Sequence, residues 1–538
     1  MTATITELSA EQLDALITRV KEAAEHGLSL SSEDLQLLLS AILTLAELQE
    51  KMADSDITLQ KLRKLAGIVK SSEKLSAVVP GAGKSNKPKK PKKKPQGEKR
   101  RQSPVIHERC HHQIEGLAKG DECPQCRRGK LYKYDPAVVL RISGQTPLIS
   151  TQHVLERLRC NTCGAYYTAD APTKVKDDGG IDQHYGFSAR ALMALQKYFA
   201  GAPFYRQQTL QQLFGMPVSA STIFDQCEKL ADALQPLFLY LILLARDAEL
   251  YYIDDTTNRV LSQGPIEKPD RRTGKLKKRS GLYTSAAIAQ LSDGQRCVLY
   301  QTNIGHAGEW LDEILRGRPK TVPPPMVMSD ALSGNRPSVI DWYERVLCNS
   351  HARREFVDQA SSFSEPVAWV LEQYGQVWEH DRHCQQQCLS PAQRLTYHRE
   401  QSRPVMERLR DWGQQQLDSG DVEANSGLGK AIGYLLRYYE ELTAFCRLPG
   451  APIDNNCAEQ ILKLIIRGRK NSLFFKTPAG AAIADVITSV IATAHVADIN
   501  VFEYLIVLQR HAEEVKRDPQ NWLPWTYQVA VEAAKKAA

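Results

Sequence analysis

No uninterrupted apolar run in this chain approaches the length of a membrane span. The longest strongly apolar stretch, Leu237–Ala245, has nine residues, against the ~20 that a spanning helix needs. The N-terminus places Glu7, Glu11 and Asp14 where a signal peptide would have its apolar segment, so a secreted protein is not expected either. Net charge is also small outside one segment. The net charge is +7, but residues 84–101 hold ten Lys/Arg and one Glu and so carry +9, which leaves the rest of the chain at −2. The expected compartment is therefore the cytoplasm, where thiols stay reduced and twelve cysteines are not a disulfide framework.

At 538 residues the chain is too long for one core, and ~150 residues per domain implies three or four. Residues 1–78 form a helical, coiled-coil region, helical by pattern over 8–66 with a break near Gly27. Leu38, Ile42, Leu45, Gln49, Met52, Asp56 and Leu59 recur at spacings of four and three, a short imperfect coiled-coil seam. The seam serves either self-association or packing of a helical hairpin on its own chain. Residues 79–104 form a Lys/Pro-rich linker without expected fixed structure. Its cations, Lys92, Lys93 and Lys94 among them, suit either a phosphate-binding arm or a solvated spacer.

Five of the twelve cysteines lie in residues 105–175. Cys123 and Cys126, then Cys160 and Cys163, form two CxxC pairs. Each pair bends two thiolates toward one point, and together they complete a tetrahedral structural Zn²⁺ site of the ribbon type. His107, Cys110, His111 and His112 are weaker rivals as ligands. Cys348 and His351 with His380, His383, Cys384 or Cys388 have irregular spacing and are not read as a second zinc site.

Residues 176–247 are again helical. An apolar helix, a break at Gly215-Met216-Pro217 and Ser219 as N-cap of a second helix outline a helix-turn-helix. Its second helix would present Ser221, Thr222 and Gln226 to DNA.

The pattern then becomes mixed. Leu250–Ile253 is a short strand ending at Asp254, and Tyr283–Gln290 with Arg296–Thr302 form a hairpin through Ser292-Asp293-Gly294. A helix at Ala307–Arg316 and a strand at Pro325–Met328 follow, the latter ending at Ser329-Asp330. Strand, hairpin, helix, strand, with acids at the first and fourth strand ends, is the order of an RNase H-like core. The first part of the core would span 248–348, followed by a charged helical insertion at 349–450. The second part, at 451–515, opens with a helix capped by Asp454 or Asn455, whose second turn carries Glu459. Residues 516–538 are a C-terminal tail. The expected fold class is thus multidomain α+β: a split RNase H-like core, a zinc ribbon, a helix-turn-helix-like segment and N-terminal coiled-coil helices.

With these residues in hand, the chain resembles the DDE transposases of the insertion-sequence-66 family over nearly its whole length. Similar motifs are Leu62–Leu65 with Ser71–Leu75, the two CxxC pairs, Pro203–Gln207 and Asp254-Asp255-Thr256. Others are Cys348, His351, Arg353, Arg354 and Phe356, and the closing Leu523-Pro524-Trp525. Most specific is Asp454-Asn455-Asn456 with Glu459, followed by Gly468-Arg469-Lys470-Asn471. Asp255 stands where the family usually has Glu, and Ala331-Leu332 where it has Gly-Tyr.

The resemblance implies Asp254, Asp330 and Glu459 as the catalytic triad of an enzyme that cleaves and joins DNA strands. In-line displacement at a phosphodiester is served by two Mg²⁺ ions ~3.5–4 Å apart on hard oxygen ligands, with Mn²⁺ able to substitute. Arg467, Arg469 and Lys470, expected just past the Glu459 helix, and Arg353 and Arg354 are candidate phosphate contacts. The implied partners are the element's terminal inverted repeats, target DNA, further copies of the chain on DNA, and accessory proteins of the same element. The implied setting is the prokaryotic cytoplasm, at the nucleoid. Two other classes fit the same residues less well: a non-catalytic DNA-binding repressor, and a nuclease or resolvase that cuts without joining.

Overall fold

The structure is a computed structural model of the chain. It describes residues 146–537 except 160, 162, 164–165, 270–274 and 339–341, with short stretches between 18 and 38 and between 114 and 131. The heptad positions beyond Leu38, the basic linker with Lys92–Lys94, and Cys123, Cys126 and Cys160 lie outside the described residues.

The chain divides into two compact units. One takes residues 1–84, 351–388 and 400–437. Its long helices are Ser364–Gln386, Arg403–Asp418 and Gly427–Arg437, and Trp369 packs on Trp412 with ring centroids 5.2 Å apart. Near its start Arg19 forms an ion pair with Asp34 at 2.8 Å.

The other unit takes residues 85–350, 389–399 and 438–538. It begins, within the described residues, with a small antiparallel pair, β1 (Arg157–Arg159) on β2 (Tyr166–Thr168). Three helices follow: α1 (Phe187–Ala194), α2 (Phe204–Leu213) and α3 (Ala220–Ala245). Ser219 caps α3, its hydroxyl accepting from the Thr222 N–H at 3.1 Å. Along α3, Ile223, Cys227, Leu230, Leu234, Leu237 and Leu241 recur at alternating spacings of four and three. All six are buried, the continuous apolar face of a core helix.

The centre is a five-stranded sheet of β3 (Leu250–Asn258), β6 (Leu282–Gln290), β7 (Arg296–Asn303), β8 (Met326–Ser329) and β9 (Glu344–Leu347), in the order β7-β6-β3-β8-β9. β6 lies antiparallel to β3 and β7, while β8 runs parallel to β3 and β9 parallel to β8. A separate two-stranded ribbon, β4 (Ile266–Pro269) with β5 (Leu276–Arg279), is inserted between β3 and β6. α4 (Ala307–Leu315) joins β7 to β8. After the other unit's third segment the chain returns through α5 (Asn456–Ser472), α6 (Pro478–Val496), α7 (Val501–Arg510) and α8 (Tyr527–Ala537).

α6 closes the exposed edge of the sheet. β7 is an edge strand whose outward N–H groups need partners. Thr302 N–H donates to Asp485 at 2.7 Å, Tyr300 N–H to Ser489 Oγ at 2.9 Å, and Val298 N–H to Thr493 Oγ1 at 3.0 Å. The match is geometric: two strand residues advance ~6.6 Å and four helix residues ~6 Å, so three successive pairs stay aligned. α6 is also long and apolar enough to cross a membrane, with a mean hydropathy of 1.5, but two-thirds of that stretch is buried in this core. Ile487, Val490 and Ile491 pack there with Tyr251, Ile253 and Leu299 of the sheet, Leu234 of α3, and Tyr504 and Leu508 of α7.

Several elements differ from the sequence expectation. The first strand does not stop at Ile253. It continues to Asn258 because Asp254–Asn258 pair with Ala286–Leu282 of β6. β9 and the β4–β5 ribbon were not expected from the sequence: β9 is four residues long and the ribbon strands are polar. α5 begins at Asn456, so Glu459 falls in its first turn rather than its second. It runs on to Ser472, where Leu473 turns left-handed (φ 66°), so Arg467, Arg469 and Lys470 lie inside the helix. Within the expected tail, Trp522, Leu523 and Tyr527 are buried.

Burial pushes the Asp485 carboxyl up to about 7, against the opposing effect of its bonds to the Thr302 N–H and hydroxyl. The protonated form is therefore favoured in the folded state, and the stability this group contributes is lost as pH rises toward about 7. Asp485→Ala should cost ~1–3 kcal/mol by leaving the Thr302 N–H unpaired. Asp485→Asn keeps an acceptor there and should match or exceed the wild type near pH 8, the gap closing toward about pH 4. Thermal unfolding at the two pH values checks both.

Candidate active site

β3 alternates its side chains between two faces. Ile253 enters the core at 1 % exposure, and Asp254 takes the opposite face, half-buried. Asp255, back on the Ile253 side, accepts from His306 Nδ1 at 2.8 Å and from the Ala307 N–H at 3.2 Å, which ties the start of α4 to the strand. The hydrogen bond from His306 to Asp255 raises the His306 pKa.

The parallel partner β8 supplies the second acid. Leu250, Tyr251 and Tyr252 lie opposite Met326, Val327 and Met328, and two further steps in that register set Asp330 beside Asp254. Asp330 is half-buried, and its Oδ1 accepts from the Leu332 N–H at 3.1 Å and Asn335 Nδ2 at 2.8 Å. Ala331-Leu332 thus forms part of a turn that the carboxylate itself holds.

The third acid arrives on α5, which is fastened to β3 at both ends and to β7 midway. Asn455 is fully buried. Its side-chain amide donates to the Ile253 carbonyl at 2.9 Å, and its backbone N–H donates to Cys348 Sγ at 3.2 Å. Asn349 braces the residues just before α5, its N–H and side-chain amide both donating to the Ile453 carbonyl, at 3.1 and 3.0 Å. Midway, Tyr300 Oη donates to the Ile461 carbonyl at 2.8 Å. Near the far end the Arg469 guanidinium donates to Thr256 Oγ1 at 3.1 Å and Thr257 Oγ1 at 2.9 Å. Beyond it, Phe475 N–H bonds the Arg259 carbonyl at 2.8 Å. Glu459, in the first turn of α5, is thereby delivered to the strand that carries Asp254.

The electrostatics register this convergence. Burial pushes the Asp254 carboxyl up to about 7. The Asp255 N–H, donating at 2.8 Å, opposes the shift, and the negative charges of Asp330, Asp255 and Glu459 add to it. Carboxylate oxygens are hard donors of the kind Mg²⁺ and Mn²⁺ prefer; among the described residues, Glu459 also lies with Cys348 and His351 in a group whose ligand atoms are within 4.8 Å of one another.

The remaining site candidates are spread more widely. Arg467 and Lys470 are exposed along α5, while Arg469 is half-buried and bonds β3 through Thr256 and Thr257. Arg353 and Arg354 are half-buried on the helix Asn349–Val357. Ser221 is exposed and Thr222 half-buried, both hydroxyls within 2.8 Å of Ser219 Oγ. Gln226, expected on a DNA-reading face, is instead buried at 6 % exposure and accepts from Arg190 Nε at 2.9 Å. That part of a long core helix faces its neighbours. Of the zinc candidates, Cys163 is described and is exposed. Asn455, Asn349 and Tyr300 were missed as functional supports; the paired asparagines beside Asp454 were the available signal.

Comparison with known proteins agrees with the geometry. Residues 183–483, more than half of the chain, match the family described as Transposase IS66 family. Three relatives are from Sinorhizobium fredii (strain NBRC 101917 / NGR234). Uncharacterized protein y4hP is 25 % identical over 405 residues, which cover 70 % of this chain and 68 % of the relative. Uncharacterized protein y4jD is 29 % identical over 34 % of this chain and 35 % of its own, and uncharacterized protein y4qI 22 % over 63 % and 62 %.

Asn455→Ala strips the Ile253 carbonyl of a buried donor and should lower stability by ~1–3 kcal/mol in urea unfolding. Asn455→Asp, which turns an acceptor toward that carbonyl, should cost at least as much.

Proposed function

The chain belongs to the IS66 transposase family, and on that premise we propose that it binds the terminal repeats of its element and catalyses DNA cleavage and strand transfer through Asp254, Asp330 and Glu459. The single observation carrying this reading is the convergence of these three acids, from a strand, a strand end and a helix far apart in sequence, with Asp254 under repulsion from the other two. The strand order, with β6 antiparallel between β7 and β3 and with β8 and β9 parallel beyond, supports the reading of an RNase H-like core. It gives the acids a rigid support.

The three carboxylates would hold two Mg²⁺ or Mn²⁺ ions, which when bound stabilise charge on the attacking and leaving oxygens of an in-line displacement. Asp254 and Glu459 bind and orient from one side, with α5 held by Asn455 and Arg469 so that the helix does not shift as charge develops. Asp330, held by the Asn335 amide, fixes the other side. A water first frees a 3′-hydroxyl, and the same acids then position that hydroxyl toward target DNA. Arg467 and Lys470 on α5 neutralise phosphates next to the reacting one.

Zinc belongs to the same reading. The two CxxC pairs fall between residues that pair across short antiparallel bridges, Glu122 with Lys130 and Arg159 with Tyr166, the arrangement of a zinc ribbon. Pairing two element ends calls for at least two copies of the chain on DNA, a role suited to the N-terminal heptads.

With labelled element-end DNA and Mg²⁺, the wild type should give joined product. Asp254→Ala, Asp330→Ala and Glu459→Ala should each abolish it while retaining end binding. Cutting without joining by the wild type would point to a nuclease instead, and equal activity of wild type and Glu459→Ala would remove Glu459 from the site. Cys123→Ser with Cys126→Ser should lose bound zinc by elemental analysis and unfold at a lower temperature.

A further inference from the structure

The β4–β5 ribbon leaves the sheet immediately after the strand bearing Asp254 and returns into β6. A two-stranded ribbon is marginal by itself, and this one covers little apolar surface. Ile266 and Leu276 remain 40 % and 67 % exposed. Its described strands carry Lys268, Lys277, Lys278 and Arg279, with Lys275 just before β5, against one acid, Glu267. The register sets Lys277 opposite Lys268, a like-charged cross-strand pair that costs stability.

The ribbon is nevertheless held in place. Glu309 on α4, 9 % exposed, pairs with both Lys268 and Arg279 at 2.7 Å, and Lys268 Nζ also donates to the Ile304 carbonyl at 3.3 Å. Two cations thus serve as anchors. Lys275, Lys277 and Lys278 remain exposed. At the ribbon's base lies a cleft of about 630 Å³, lined by Lys277 and Arg279, by Tyr283 of β6 and His306 beside α4, and by Leu332 and Gly334. Those last two belong to the loop that follows Asp330. The cleft therefore connects the loop of one candidate catalytic acid to an anchored cationic ribbon.

We propose that the β4–β5 ribbon and the cleft at its base form the seat for the phosphate backbone of duplex DNA flanking the reacting phosphodiester. The inference rests on the transposase reading and adds to it the surface that holds the substrate. Charge complementarity selects the occupant: a phosphate backbone neutralises the exposed lysines and relieves the Lys268–Lys277 repulsion, with counterion release favouring the association. The anchoring through Glu309 keeps the cations aimed at one track leading from Asp330.

The test compares three full-length proteins: wild type, the ribbon variant Lys275→Gln/Lys277→Gln/Lys278→Gln, and a control that removes equal charge elsewhere, Lys516→Gln/Lys535→Gln/Lys536→Gln. All retain the basic arm at 84–101, and the ribbon substitutions are at exposed positions that leave Lys268 and Arg279 intact, with circular dichroism as the folding check. Binding to a fluorescein-labelled random-sequence duplex is followed against salt concentration. The slope of log affinity against log salt should fall by roughly 2–3 in the ribbon variant, at about 0.9 for each phosphate no longer neutralised, and stay at the wild-type value in the control. Equal slopes in ribbon variant and control, with a wild type that binds, cuts and joins DNA, would overturn the ribbon inference alone. A wild type that does not bind the duplex would overturn the transposase reading and this inference with it.

Discussion

An edge strand cannot be left with a row of unpaired N–H groups, and in this protein the solution is a helix. Asp485, Ser489 and Thr493 of α6 take the N–H groups of Thr302, Tyr300 and Val298. Strand pairing stops there, and the sheet stays at five strands. Because α6 comes late in the chain, the sheet is complete only when the polypeptide has come back from the other unit. The same return carries α5, and α5 carries Glu459. Closing the edge and completing the acid cluster are thus two results of one topological step.

The acid cluster works against its own formation. Burial and the neighbouring negative charges make the ionised form of Asp254 costly, and the core packing, Asn455 and Arg469 hold the acids together regardless. Repulsion of this kind is useful where a multivalent cation and a phosphodiester are to be bound.

Much of this was legible in the sequence, for identifiable reasons. The β6–β7 hairpin is bracketed by Ser292-Asp293-Gly294, and Gly294 has the positive φ of 84° that such a turn requires. Ser219 caps α3 as its position before an apolar-periodic run implies. Asp254, Asp330 and Glu459 stood out in the sequence as strand-end and helix-start acids, although Asp254 lies within β3 and not at its end. What was hidden depends on tertiary contact. Polarity alone places Gln226 and Arg469 on a surface, yet Gln226 meets Arg190 in the interior and Arg469 meets β3. The four residues of β9 carry too little periodicity to be seen, and the ribbon's lysines suit a loop as well as a strand. The hydroxyl and carboxyl stripe of α6 is invisible without the strand it faces.

The bond from Asn455 to the Ile253 carbonyl also sets an order in time. Its two ends are separated by the whole of the other unit's later segments, and chains are synthesised at ~5–20 residues per second. The strand bearing Asp254 therefore leaves the ribosome on the order of 10–40 s before the helix bearing Glu459. During that interval the nascent protein holds Asp254, Asp330 and its cationic ribbon, but neither a closed sheet edge nor Glu459. On the proposed triad, a chain that ends before α5 would lack its third acid throughout.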